Sequence, residues 1–338
     1  MAIRESANKL SAEKREKYVN AVIKLKTEGN PNTGRNYDTY VSWHQASIFS
    51  LETLTGNTTP FWSYSHGTPA FLPWHRVFLY LFEKDLQEVS DDPNMAIPYW
   101  DISANDANTS IWTEDFLGGS GNPNNDYIVE TGAFAYSADK WPLRVRNLMV
   151  EKDDKLRRGL GVGINGSFPS VQRVRQILNL TPYDLAPYEE TNTSNENMFR
   201  RQLEGGAIHG IGHNWVGGAR EVNGERESIG SMANVWTSPN DPVFFLHHCN
   251  IDRLWDKWQR RHGLEYEPQT PVDGLPSGSI NEAMSFGDRI RDTLAVSTFG
   301  YEYDGLASDD TEPDMEAFAV TTEGLPNPGE YKNGRYPE

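Results

Sequence analysis

Six of the eight histidines in this chain fall into two triplets. The first is His44, His66 and His75; the second is His209, His213 and His248. Neither triplet has a carboxylate or thiolate at matching spacing. Neutral imidazole suits copper, zinc, iron and nickel, whereas magnesium, calcium and manganese prefer oxygen. Two all-imidazole sites in one chain therefore predict a paired-metal centre with redox or O2 chemistry. His209 and His213 stand four apart, so on a helix both rings leave one face within reach of a single ion. Zinc metalloproteases use the same spacing, but a glutamate general base follows their first histidine directly. Gly210 holds that place here, which argues against hydrolysis.

Taken singly, His44 or His75 reads as a satisfied core histidine on an apolar face. The joint pattern overturns that, because helical elements must bring both sets to one centre. Ser11 can cap a helix whose inner face carries Tyr18, Val19, Val22, Ile23 and Lys26, stopped by Gly29. From about Tyr37 to Phe49, Tyr37, Tyr40, Val41, His44 and Ile48 recur at helical spacing. From Pro73, His75, Phe78, Leu79, Phe82 and Leu86 align. Asp241 reads as an N-cap with Pro242 as first helical residue, and His248, Ile251, Asp252 and Trp255 share a face beyond it. A fifth helix at about 200–215 is needed for His209 and His213. Glycine- and asparagine-rich stretches at 118–125, 159–166 and 217–230 read as loops. The fold class that follows is mainly α: a four-helix bundle carrying two metals in its core, with long loops and little β structure.

The rest of the chain sets limits. Of 338 residues, 37% are hydrophobic and 12% aromatic, ample for one large core. The formal charge of -17 repels nucleic acid and anionic membranes. A single cysteine, Cys249, forbids an intrachain disulfide. It reads as a small buried residue, not a ligand. Residues 1–10 carry charge where a signal peptide needs an apolar run, so a cytoplasmic location is expected. After Tyr303 nine acidic residues face two basic ones. This divides the chain into a catalytic domain at 1–303 and an acidic tail at 304–338, packed locally through Phe318 at most.

Three segments carry a family resemblance: Ala70-Phe-Leu-Pro-Trp-His-Arg76, Ile97-Pro-Tyr-Trp-Asp101 and Asn240-Asp-Pro-Val-Phe-Phe-Leu-His-His-Cys-Asn-Ile-Asp-Arg253. They resemble the signatures of tyrosinases and catechol oxidases, the type-3 copper proteins. Phe199–Gly205, Trp215-Val-Gly-Gly218 and Gly300-Tyr-Glu-Tyr-Asp304 are similar to the compact bacterial members, which lack a C-terminal lid domain. The resemblance implies two copper ions, CuA on His44, His66 and His75 and CuB on His209, His213 and His248, with O2 as co-substrate. Between His247 and His248 it assigns the second. Adjacent helical residues point about 100° apart, which leaves His247 to packing. The implied reaction oxidises o-diphenols to o-quinones.

Monophenol hydroxylation is a further matter. A phenol with a pKa of about 10 must lose its proton, at roughly 4 kcal/mol at pH 7. Family members are thought to hold a water for this step between a glutamate and an asparagine directly after the first CuB histidine. Glu204 matches the glutamate, but Gly210 stands where the asparagine would, and the gap from Glu204 to His209 is short. Weak hydroxylation is therefore expected, with Asn214 as a substitute for the missing amide. Val235 aligns with a position lining the substrate mouth. No cysteine lies near His66 to cross-link it, and Asp252 and Arg253 read as an ion pair beneath the CuB helix. A small phenol or catechol is the expected partner, with a separate copper chaperone, or none, in place of a lid; the oligomeric state is left open. Two other readings stay in play: an o-aminophenol oxidase with the same centre, and an O2 carrier of the haemocyanin type.

Overall fold

A computed structural model describes residues 1–48, 65–136, 141–148, 151–185, 198–266 and 278–305. The tail beyond Gly305, Phe318 included, lies outside the described residues. Four long helices build the core: α1 (Ala12–Thr27), α2 (Tyr37–Ile48), α3 (Phe71–Ser90) and α7 (Val243–His262). Between α3 and α7 come the short helices α4 (Val171–Leu178), α5 (Phe199–Glu204) and α6 (Ile211–Gly217). The mainly helical expectation holds.

Helix α3 is the central element, packed against α1 on one side and α7 on the other. It is buried around most of its circumference, including Phe71, Trp74, Phe78, Phe82 and Leu86, the pattern of a helix enclosed by neighbours. Pro73 is tolerated because it falls in the first turn, where a missing N–H breaks no helical bond. Stacked rings bind α3 to α7: Phe82 lies 3.6 Å from Phe245 and Phe78 5.7 Å from it, centroid to centroid. Ser11 caps α1 as expected, its Oγ accepting from Lys14 N at 3.3 Å. Asp241 sits one residue further from its helix than expected. The helix begins at Val243, and Asp241 Oδ1 accepts from Val243 N at 3.2 Å. Both Asp241 oxygens also bind the buried Arg158 guanidinium, at 2.6 and 2.7 Å.

The stretch 217–230 is not the loop its glycines suggested. Strands β2 (Ala219–Val222) and β3 (Glu225–Ser228) pair antiparallel. Asn223 (φ 55°) and Gly224 (φ 81°) form the two-residue turn between them. Positive φ at both central residues matches the right-handed strand twist, which is why Asn-Gly is favoured there.

The remaining strands join the chain's two ends. Strand β1 (Ala2–Arg4) pairs parallel with β4 (Tyr301–Tyr303). Arg4 is fully buried, its guanidinium 3.5 Å above the Tyr301 ring. Its Nε donates to Glu83 at 2.9 Å and its Nη1 to Asp252 Oδ2 at 3.3 Å. Asp252 Oδ2 also accepts the Tyr301 and Tyr303 hydroxyls, each at 2.6 Å, and Oδ1 accepts Arg76 Nε at 2.6 Å. The expected Asp252–Arg253 pair is therefore wrong. Arg253 faces Asp101 at 3.5 Å and covers the Tyr99 ring. Burial alone would raise the Asp252 carboxyl pKa, but Arg76 and Arg4 outweigh it and hold it below the usual range. Cys249 is buried beside this cluster, its thiol donating to Ile97 O, and burial pushes its pKa up to about 12.

Candidate metal centre

Each ligand candidate comes from a different piece of backbone. His44 is on α2, His75 is on α3 and His66 lies in the loop before α3. His248 is on α7 and His213 on α6. His209 lies in a π-helical turn, Gly206–Gly210, which separates α5 from α6. The expected single helix at 200–215 is thus broken. Gly210 N bonds Gly205 O at 3.0 Å, five residues back, in the widened pattern of a π-bulge.

The first triplet converges. His44, His66 and His75 each offer a ring nitrogen within 4.8 Å of the others, and all three are buried. Their hydrogen bonds fix which nitrogen is offered. His75 Nδ1 donates to Phe71 O at 2.9 Å and His44 Nδ1 to Trp236 O at 3.3 Å. A carbonyl can only accept, so these neutral rings present the Nε2 lone pair inward. The buried Nε2 atoms of His44 and His75 have no hydrogen-bond partner among the described residues. His66 Nδ1 lies 2.8 Å from Ser65 Oγ.

The second triplet is tighter. His209 Nδ1 donates to Glu204 O and His213 Nδ1 to Met232 O, both at 2.9 Å. Their Nε2 atoms lie 3.2 and 3.1 Å from His248 Nε2. A neutral His248 carries at most one proton on this nitrogen and can serve only one of these contacts; the other leaves a lone pair with no proton to accept. A cation at the shared point removes that conflict. Separations near 3.2 Å suit donors that each stand about 2 Å from one ion.

His247 also lies close enough to His209 and His213 to complete a group of three. Its Nε2, however, donates to His209 O at 2.9 Å, and its ring stacks 5.6 Å from that of His209. A Cβ at Gly212 would come within 2.3 Å of this ring, so the adjacent glycine makes its room. His248 Nε2, by contrast, faces the Nε2 atoms of both His209 and His213.

The two groups face each other directly. The His75 and His248 rings stack at 4.3 Å, 17° from parallel, and His66 and His209 are 6.2 Å apart. Phe71 and Phe244 wall the space between them, 4.9 Å from His209 and 4.0 Å from His248. Burial lowers the pKa of every one of these histidines, that of His44 to about 3. All are neutral near pH 7, the form that binds metal.

The other sequence candidates are placed unevenly. Glu204 is buried close by, but both its oxygens are engaged. Oε1 accepts from Gly67 N at 2.5 Å, and Oε2 accepts from Arg200 at 2.7 Å. It thereby clamps the loop that carries His66. Burial raises its pKa, with Arg200 opposing. Gly210 is buried within the π turn and Asn214 is half-buried beside His213. Val235 is buried against Ile48 and Trp236. What spacing could not reveal is that the carbonyls of Met232 and Trp236, flanking Val235, fix one histidine of each group. Backbone acceptors leave no mark in sequence.

Residues 34–261 match the family model described as the common central domain of tyrosinase. The chain is a member of the tyrosinase family. It is 38% identical to a tyrosinase of Streptomyces antibioticus over 310 residues, covering 90% of this chain and all of that one. It is 34% identical to grixazone synthase of Streptomyces griseus over 81% of this chain and 90% of that protein. A variant of polyphenol oxidase from Thermothelomyces thermophila shares the fold, with a TM-score of 0.63 at 21% identity over 90% of this chain and 88% of that one. The tyrosinase family's cofactor is a pair of copper ions, and the two histidine groups fit it. Among the described residues no helix is long and apolar enough to cross a membrane.

Proposed function

We propose that this protein is a dicopper oxidoreductase that uses O2 to oxidise o-diphenols to o-quinones and hydroxylates monophenols weakly. His44, His66 and His75 would hold one copper; His209, His213 and His248 would hold the other. The observation that carries the reading is the pair of all-imidazole groups, with ring nitrogens aimed inward and His75 stacked on His248. A copper pair bound there supplies the redox couple through which two catechols pass four electrons to one O2, giving two quinones and two waters. The protein fixes ring tautomers through backbone carbonyls, keeps the imidazoles neutral by burial, and excludes bulk water with Phe71 and Phe244.

The reading of the proton step rests on Glu204, Gly210 and Asn214. Glu204 is tied to Arg200 and Gly67 N, and Gly210 offers no side-chain amide to hold a water against it. Catechols ionise more readily than monophenols and need no oxygen insertion, so they are less affected. A steady-state panel of tyrosine, tyramine, L-DOPA, catechol and o-aminophenol on copper-loaded protein tests the whole proposal. The expected order places L-DOPA and catechol far ahead of tyramine, and an o-aminophenol rate above both would reassign the substrate. Gly210→Asn is expected to raise the tyramine rate on the order of 10-fold per bound copper, a small part of the ~10²–10⁴ a positioned base supplies. The catechol rate should stay nearly constant. Equal wild-type rates on tyramine and L-DOPA would refute the Gly210 argument.

Val235 is assigned to the substrate mouth and the segment after Asp304 to an acidic tail that is no permanent lid. Truncation after Asp304 keeps that residue's contacts to Ser6 N and the Tyr99 hydroxyl. It should leave copper binding intact and raise catechol turnover modestly at most; manyfold activation would make the tail a plug. A cytoplasmic location and copper delivery by a separate chaperone complete the proposal. Full loading of purified protein by a copper salt alone would make the chaperone unnecessary.

A further inference from the structure

The segment Ser231–Asp241 touches both histidine groups from outside. Met232 O fixes His213, Trp236 O fixes His44, and the segment then runs into α7, which carries His248. One histidine of each group thus takes its tautomer and ring orientation from carbonyls four residues apart. A strut with this duty must itself be held. Beneath it lies Glu151, a buried carboxyl group with hydrogen-bond donors but no cation beside it among the described residues. Its Oε1 accepts from Ser231 Oγ at 2.5 Å and Asn240 Nδ2 at 3.1 Å; its Oε2 accepts from Asn147 N at 2.7 Å. Ser231 and Asn240 are close to the two ends of the strut, so one carboxylate ties both ends together. Other anchors hold it too: Gly230 N on Gly217 O just before it, and Tyr37 on Pro239 O, Trp141 on Asn240 O and Arg158 on Asp241 near its C-terminal end. The side chain of Ser231, one residue from the carbonyl that fixes His213, is held by Glu151.

We infer that Glu151 is a positioning residue for both coppers at once, acting through Ser231 and Asn240 on the carbonyls that orient His213 and His44. Burying an unpaired carboxylate is costly, and an apolar residue would fill the space without that cost. A carboxylate supplies what an apolar residue cannot, two acceptor oxygens that join three donors from separate stretches of chain. Support of this kind typically changes metal affinity by ~10–100-fold when it is lost. The effect should fall on both ions together, since the strut serves one ligand of each.

The inference rests on the ligand assignment above, and the test separates the two. Full-length copper-loaded parent, Glu151→Gln, Ser231→Ala and Ser231→Thr are titrated with a Cu(I) chelator, and copper released per chain is counted. A parent that fails to hold two coppers refutes the ligand assignment itself. With two coppers in the parent, Glu151→Gln, whose amide sets a donor against Asn147 N or Asn240 Nδ2, should release both ions at about one-tenth of the parental chelator concentration. Ser231→Ala should shift both in the same direction, and Ser231→Thr, which keeps the hydroxyl, should restore the parental curve. Ser231→Ala decides the matter if Glu151→Gln does not fold. Release of one ion early and the other at the parental concentration would overturn the inference. So would an unshifted curve in a variant that merely melts lower without copper.

Discussion

Replacing His209 by alanine should leave a chain that binds one copper in place of two and oxidises catechol at least ~10³-fold more slowly, because two metals acting jointly are a mechanism and not a sum of contacts. His209 is the most interlocked of the six. Its Nδ1 is fixed by Glu204 O, its Nε2 faces His248 and its carbonyl accepts from His247. Only the ring is lost in His209→Ala, so the backbone contact to His247 can persist. Metal analysis and a catechol assay on the same preparation check the expectation, with circular dichroism to confirm the fold. Two coppers and full turnover in the variant would remove His209 from the ligand set.

The second large effect is expected away from the metals. Asp252→Ala strips the shared partner from two fully buried arginines, Arg4 and Arg76, and from the hydroxyls of Tyr301 and Tyr303. Removing one partner of a buried ion pair costs about 3–5 kcal/mol, because the other charge stays buried without compensation. Here Arg76 loses its ion pair, while Arg4 keeps Glu83. Loss of at least that amount is expected in urea unfolding of the copper-free protein, where metal binding cannot mask it. Copper affinity should fall as well, since Asp252 follows His248 by one helical turn and Arg76 follows His75 directly. Asp252→Asn, which keeps the shape and one acceptor, should lose less. An alanine variant as stable as the parent would mean that the cluster contributes nothing net.

Much of this was legible in the residues, and the exceptions share a cause. Helix faces could be read because side chains at i, i+3 and i+4 meet, so Tyr37, Tyr40, Val41, His44 and Ile48 declared α2. The six histidines could be grouped because imidazole is a scarce residue with a narrow chemical meaning. Asp252 and Arg253 were paired wrongly for the reason that separates His247 from His248: neighbours on a helix point about 100° apart. Asp252 turns inward to Arg76 and Arg4, while Arg253 turns to Asp101. The hairpin hides in a glycine-rich stretch, although Asn223-Gly224 is a strong turn signal. The π turn at Gly206–Gly210 left a trace in the short gap between Glu204 and His209, but its geometry did not follow from the spacing. The carbonyls of Phe71, Glu204, Met232 and Trp236 could not be read at all.

The pairing of β1 with β4 bears on how the protein is made. Arg4 must wait for Tyr303, 299 residues later, before its cation has all its partners. Contacts of such separation form late and slowly, because the chain between them must already be closed into a loop. A ribosome delivers the histidines of α2 and α3 early, His248 much later, and β4 later still. The helices that carry His75 and His248 are therefore clasped only after β4 has emerged. Until then the nascent polypeptide presents a partial set of imidazoles, and copper arriving early would meet donors not yet held in place.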